Sequence, residues 1–353
     1  MLKQAILLIF STLILILLVG CVSEPPMIEA IFTSTPKPQV TFTPEPSATQ
    51  YVTKAIESFT ATLVASSTPE DHNTEVMPTE DTLSNFSELQ CDDPFCQQAY
   101  AGFLMRPIAY PGRTIIDWTY PYGSTLGGTL EVHHGVEFQN SFGTPVLAAA
   151  EGEVVFAGRD DQLVLGPYVG FYGNVVILHH PKLFDGQDLF TLYAHLSVIE
   201  VVEGEQVSIG MKIGEVGASG AANGSHLHFE VRLGRNDYNL TTNPVLWFAP
   251  VEDQEYGRMS TLVGRVEGSS GEPLSEVSLA LEKIGPDGSV EASYYPLTYD
   301  QVGINAHPEL GENFAVSDVP PGNYRLALVY GRLYEVQFNL KPGYIGFIKL
   351  QTE

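Results

Sequence analysis

From about Cys91 to Pro250 the chain is cut into short apolar runs separated by glycine-containing turns: TPVLAAAEGEVVFAG, GNVVILHH, LFTLYAHL, KIGEVGASG and HLHFEVRLG. The runs are of strand length and enriched in Val and Ile. This pattern predicts an all-β domain of short antiparallel strands over residues 91–250. FDGQD at 184–188 carries Asp-Gly, the signal of a tight hairpin turn. From about Glu255 the pattern starts again, in STLVGRVEGSSGEPLSEVSLALEKI, NFAVSDVPPGNYRLALVYG and EVQFNLKPGYIGFIKLQ. Alternating strands with Pro-Gly turns over residues 255–353 predict a second, small β-sandwich.

The start of the chain follows other rules. MLKQAILLIFSTLILILLVGC has one lysine, an unbroken apolar run and small residues before Cys21. That layout is a secretory signal peptide over residues 1–20, its apolar run shorter than the roughly 20 residues of a spanning helix. The ending LVGC resembles a bacterial lipobox, which implies that Cys21 is lipidated and tethers the chain to a membrane outside the cytoplasm. Residues 21–90 are rich in Thr, Pro, Ser and Glu, with no sustained apolar period, and are expected to form a disordered linker. In an oxidising compartment Cys91 and Cys96, enclosing DDPF, are expected to form a local disulfide without a catalytic role. With 17 basic against 42 acidic residues, the net charge of −25 argues against nucleic acid and anionic membrane surfaces as partners.

The chain has 9 histidines. In a strand, residues i, i+2 and i+4 share a face. In EVHHGVEF, His133, Gly135 and Glu137 then face one way and His134 the other. In SHLHFEV, His226 and His228 share a face opposite Leu227 and Phe229. In LFTLYAHLS, Tyr193 and His195 are expected to share one. Catalytic zinc takes three protein ligands and keeps a water, and two histidines with one carboxylate make such a set. Other histidines are then left for proton transfer. His179 and His180, ending GNVVILHH, are expected at the surface or in a hairpin.

The order HHGVEF, GTPVLAAAEGEVVFAG, GNVVILHH, LYAHLS, VEGEQVSIGMKIGEVGASG, GSHLHFEVR resembles the M23 zinc metallopeptidases, the lysostaphin- and LytM-like enzymes that cut bacterial cell-wall peptide. The resemblance spans residues 133–230. It implies an M23-type, duplicated-hybrid-motif β domain and one Zn2+ per chain, bound by His133, Glu137 and His228. His195 and His226 would be the catalytic pair. It further implies a membrane-anchored endopeptidase of the cell envelope, acting on peptidoglycan stem peptides or cross-bridges; protein partners are left open. The family carries Asp where this chain has Glu137. The extra methylene moves the carboxylate by about 1.5 Å, against a catalytic tolerance of about 1 Å. The alternatives are a weak or inactive LytM-like module that binds wall or activates another hydrolase, and a structural surface lipoprotein. GRVEGSSGEPLSEVSLAL followed by DVPPGNYRLAL resembles the transthyretin-like, or carboxypeptidase-regulatory-like, sandwich, which implies no chemistry.

Overall fold

The computed structural model of the chain describes Phe86, Cys91, residues 94–299 and residues 303–353. The expected signal peptide, Cys21 and the linker other than Phe86 lie outside the described residues. Within them the fold is all β, apart from single turns of 3₁₀ helix at Tyr238–Leu240 and Pro244–Leu246. Among the described residues no helix is long and apolar enough to cross a membrane.

The strands before residue 250 are β1 (Phe95–Ala99), β2 (Val136–Gln139), β3 (Pro145–Leu147), β4 (Gly152–Arg159), β5 (Asn174–Phe184), β6 (Gln187–Ala194), β7 (Val198–Ile199), β8 (Gln206–Val207), β9 (Lys212–Glu215), β10 (His226–Leu233) and β11 (Thr241–Thr242). The main sheet has seven strands, in the order β11-β10-β6-β5-β4-β8, with β2 also paired to β10. A smaller sheet runs β3-β9-β7. The Asp-Gly signal closes the β5–β6 hairpin, Asp185 and Gly186 both taking positive φ (44° and 69°) between the paired Phe184 and Gln187. This is the backbone that a two-residue hairpin of matching twist requires. Val176, Leu178, Tyr193, Leu227, Phe229 and Val231 point from β5, β6 and β10 into the main core, each buried to 0% exposure. Burying one such large apolar side chain contributes roughly 1.5–3 kcal/mol. The other face of β5 and β6 is also dry, with Val175, Ile177, Leu192 and Ala194 packed around Tyr172.

The second region adds β12 (Glu252–Asp253), β13 (Gly257–Arg258), β14 (Ser260–Glu267), β15 (Leu279–Ile284), β16 (Val290–Tyr294), β17 (Phe314–Val319), β18 (Gly322–Tyr330), β19 (Arg332–Leu340) and β20 (Tyr344–Gln351). Two four-stranded sheets, β1-β20-β14-β17 and β16-β15-β18-β19, enclose a core of its own. The pair β14–β20 is parallel.

Residues 95–99, assigned on sequence to the first domain, instead supply an edge strand to the second. β1 pairs with β20, and Phe95 stacks on Phe338 at 4.5 Å. A sequence pattern does not say which sheet edge a short strand will join. Cys91 and Cys96 are disulfide-bonded at its start, with Cα atoms 5.3 Å apart. The two regions also share side chains. His307, from the segment before β17, is buried with its ring 5.0 Å from Trp247 and 5.0 Å from Phe184. Arg106 donates to Asp318 at 2.6 Å.

Candidate metal centre

β10 lies between β6 on one flank and β2 and β11 on the other. Leu227, Phe229 and Val231 occupy its core face. Residues 226, 228, 230 and 232 therefore share the opposite face, as strand alternation requires. His228 sits directly across from Glu137 of β2. Such cross-strand partners carry Cβ atoms within about 5.5 Å, so the two side chains meet.

His133 precedes β2 rather than lying in it. Two backbone bonds hold it, from its own N–H to the Ser124 carbonyl (3.0 Å) and from Gly123 N–H to its carbonyl (2.7 Å). Its ring lies flat on Tyr120, with centroids 4.1 Å apart. His133 Nε2, Glu137 Oε1 and His228 Nδ1 form a triangle with sides of 2.9, 3.0 and 3.2 Å. All three residues are buried, at 4%, 8% and 3% exposure. Gly135 makes room for them. A Cβ there would lie 2.5 Å from the Phe229 carbonyl oxygen and 2.8 Å from the His228 ring.

The donor set fits a divalent cation. These three residues are a group that could hold a metal ion. A tetrahedral ion bound at about 2.0–2.2 Å holds neighbouring donors about 3.3–3.6 Å apart, a few tenths of an ångström wider than the sides of this triangle. The second carboxylate oxygen, Glu137 Oε2, is buried without a hydrogen-bond partner in the protein. It lies 3.2 Å from His226 Nε2, outside hydrogen-bond alignment. The longer acid therefore reaches both imidazoles. Burial opposes the charge on Glu137, but His228 and the bonds from both rings hold its carboxyl well below the usual range. Burial likewise opposes a charge on His228, while Glu137 and Glu230 push it up to about 9.

His195 and His226 lie beside this triangle. Their rings are 4.9 Å apart, and His195 is 5.8 Å from His228. The expectation that His195 shares a face with Tyr193 is wrong. β6 ends at Ala194, and His195 takes φ 60°, which swings its ring out of the strand's alternation. Tyr193 goes into the core, where its hydroxyl accepts from the Ala149 N–H (2.8 Å). His195 Nδ1 donates to the Ser219 carbonyl (2.8 Å) and His226 Nδ1 to the Gly224 carbonyl (3.0 Å). Burial, with the charge of His228, brings His195 down to about 4, so it is neutral at pH 7. The cleft over the five residues has a volume of about 380 Å³, and Tyr120, Tyr168, Phe171 and Tyr238 wall it.

The other histidines differ. His134 turns from the triangle, stacks on Tyr238 at 3.7 Å and bonds to Thr241 Oγ1 (2.8 Å). His179 and His180 both lie in the β5–β6 hairpin, one of the two places expected, but His180 is not at the surface. β5 runs on to Phe184, and His180 is buried between the Glu151 carbonyl (2.6 Å) and Thr191 Oγ1 (2.8 Å). His179 stacks on Phe190.

Sequence reasoning missed Glu230, Arg232 and Tyr172. Glu230 Oε1 is 3.1 Å from His228 Nε2, and Arg232 Nη2 is 2.7 Å from Glu230 Oε2. The Tyr172 hydroxyl donates to Glu230 Oε1. The signal was present as His-x-His-x-Glu-x-Arg, four polar groups on one face of a strand.

The family model described as Peptidase family M23 matches residues 131–240. The DD-carboxypeptidase/endopeptidase Mpg of Neisseria meningitidis serogroup B is 35% identical over 143 residues, covering 40% of this chain and 29% of that protein. The peptidoglycan DD-endopeptidase ShyA of Vibrio cholerae is 37% identical over 99 residues, covering 28% and 20%. A lipoprotein NlpD/LppB homolog of Pseudomonas aeruginosa is 32% identical over 125 residues, covering 34% and 37%. The chain thus spans well under half the length of these relatives. Among solved structures, the catalytic domain of lysostaphin from Staphylococcus simulans matches at 30% identity with a TM-score of 0.30, covering 37% of this chain and 88% of that one.

Proposed function

We propose, on the premise that residues 131–240 form a peptidase family M23 domain, that this chain is a zinc metalloendopeptidase of the cell envelope that hydrolyses peptide bonds of peptidoglycan. The observation that carries this reading is the buried triangle of His133, Glu137 and His228 with two further histidines over it. Zinc held there would supply a Lewis acid and a water of lowered pKa, near about 7. The protein's own residues define the rest. His195 donates through Nδ1 to the Ser219 carbonyl. The neutral ring therefore keeps its lone pair on Nε2 and takes the proton of the attacking water. His226 donates through Nδ1 to Gly224, with Nε2 towards Glu137. Its ring would lie where it stabilises the charge that develops on the attacked carbonyl oxygen. The tyrosines and Phe171 of the cleft walls suit an extended peptide.

The name of the Vibrio cholerae relative agrees with peptidoglycan as the substrate, and that of the NlpD/LppB homolog with a lipid anchor at Cys21. Zinc analysis of the dialysed full chain, with digestion of purified peptidoglycan, tests the reading. One zinc per chain is expected in the wild type, with loss of metal in His228→Ala. His195→Ala should retain metal and lose most of the peptide release. A folded wild type without metal would support the non-enzymatic alternative.

A further inference from the structure

The candidate centre contains two histidines, and the protein holds them differently. The second ring nitrogen of His133, Nδ1, is buried and has no partner in the protein; stacking on Tyr120 holds that ring. The second nitrogen of His228, Nε2, faces the carboxylate of Glu230 at 3.1 Å. Glu230, Arg232 and Tyr172 are 0%, 1% and 0% exposed. Glu230 Oε1 accepts from Tyr172, while Oε2 accepts from Arg232 Nε (2.9 Å) and Nη2 (2.7 Å). Arg232 is itself anchored by the Leu165 carbonyl (3.0 Å) and Asn236 Oδ1 (2.8 Å).

The chemistry of this chain is directional. His228 turns Nδ1 into the triangle, so that nitrogen must keep its lone pair to meet a metal. The ring proton must then sit on Nε2, and a carboxylate is an acceptor that selects this tautomer. Glu230 cannot turn away, because Arg232 occupies its other oxygen. We propose that Glu230 is a positioning residue of the centre: it holds the His228 proton on Nε2 and so presents Nδ1 to the metal, with Arg232 and Tyr172 fixing Glu230 itself. The inference rests on the metal reading given above.

Glu230→Gln separates this role from mere packing. With Arg232 present, the amide oxygen of the glutamine goes to the guanidinium. Its NH2 then faces His228 Nε2, which becomes the acceptor, and the proton moves to Nδ1. The double variant Glu230→Gln/Arg232→Met frees the amide to turn its oxygen to His228 and removes the unpaired buried cation. Zinc affinity of the full chain is measured by competition with a chromophoric chelator. Glu230→Gln should lose 10- to 100-fold in affinity, and the double variant should regain most of it. In zinc-loaded wild type labelled with ¹⁵N-histidine, His228 should show an exchange-protected Nε2–H.

Equal affinity of Glu230→Gln and wild type overturns the inference alone. So does a double variant no tighter than the single one, or an absent Nε2–H signal in the zinc-loaded wild type. A wild type that binds no zinc overturns both this inference and the reading beneath it. The Nε2–H measurement needs no variant. Metal on Nδ1 puts the proton on Nε2 in any case, so if Glu230→Gln does not fold the test is a strongly downfield Nε2–H resonance, the mark of a bond to a carboxylate. Its presence supports the inference, and its absence overturns it.

Discussion

β10 and β18 are both interior strands of antiparallel ladders, and both bring apolar side chains to the core at every second position. They end differently. In β18 Tyr324, Leu326 and Leu328 fill the sandwich core, while Arg325 and Val329 face outward, Val329 being 75% exposed. In β10 both faces are covered: Phe229 meets the core, and His228, Glu230 and Arg232 are buried on the other side. Alternation thus says which side chains share a face, but not whether that face is wet. The same contrast separates two buried carboxyls. Burial opposes the charge on Glu230, yet adjacent Arg232 and His228 bring it down to about 2. Glu312, before β17, is as buried, and burial pushes it up to about 8 despite bonds from Tyr299 and the His307 N–H. What differs is a cation in contact.

The largest expected effect breaks the β10 pairing. Glu230→Gln leaves Arg232 buried with no full counter-charge and should cost about 3–5 kcal/mol of stability in metal-free protein, read by denaturant unfolding. Arg325→Gln in β18 removes an ion pair to Glu282 at the surface, and should leave the unfolding midpoint unchanged. If the two variants behaved alike, the distinction between dry and wet faces would be wrong.

A second test uses pH. In the unfolded chain Glu312 ionises in the usual carboxylate range, whereas the folded chain keeps its proton to about pH 8. Between those values the folded state binds more protons, so stability falls as pH rises. Below pH 6.5 His307, which burial holds neutral down to about 3, gives the opposite slope and masks this. The window is therefore pH 6.5 to 8. His228, raised to about 9, adds to the decline in metal-free protein. Glu312→Gln should therefore make it shallower without abolishing it and be the more stable protein at pH 8 by a few kcal/mol, each pH unit counting about 1.4 kcal/mol. Melting temperatures across the window decide it, and a parallel decline in both proteins would refute the assignment.

The smallest effect sharpens the site. Gly135→Ala puts a methyl group against the Phe229 carbonyl and the His228 ring. Overpacking of this kind costs about 1–3 kcal/mol. Because His228 must shift, zinc affinity should fall with stability, and titration of both together would show it.

Much of the fold could be read in the chain. Asp185-Gly186 marked a hairpin, and the parity of Leu227 and Phe229 against His226 and His228 placed one pair in the core and the other in the cleft. His195 was less legible, because parity holds only while the strand continues and one residue of positive φ ends it. His133 reached the triangle from outside β2, held by backbone bonds to Gly123 and Ser124. β1 was misassigned because an edge strand takes its partner from geometry, not from nearness in sequence.

The sequence by itself determined which side chains stand together on each strand, since the side-chain period of a strand is two wherever it folds. It also placed His226 with His228 on one face of β10, opposite Leu227 and Phe229. Only the tertiary structure decided that the polar face of β10 is dry, that Glu137 reaches both rings despite its extra methylene, and that Glu230 stands behind His228. Those facts depend on which segments pack over a face and exclude water. Desolvation and donor spacing are set by neighbours distant in the chain, as Tyr172 and Arg232 are from each other and Glu137 is from His228.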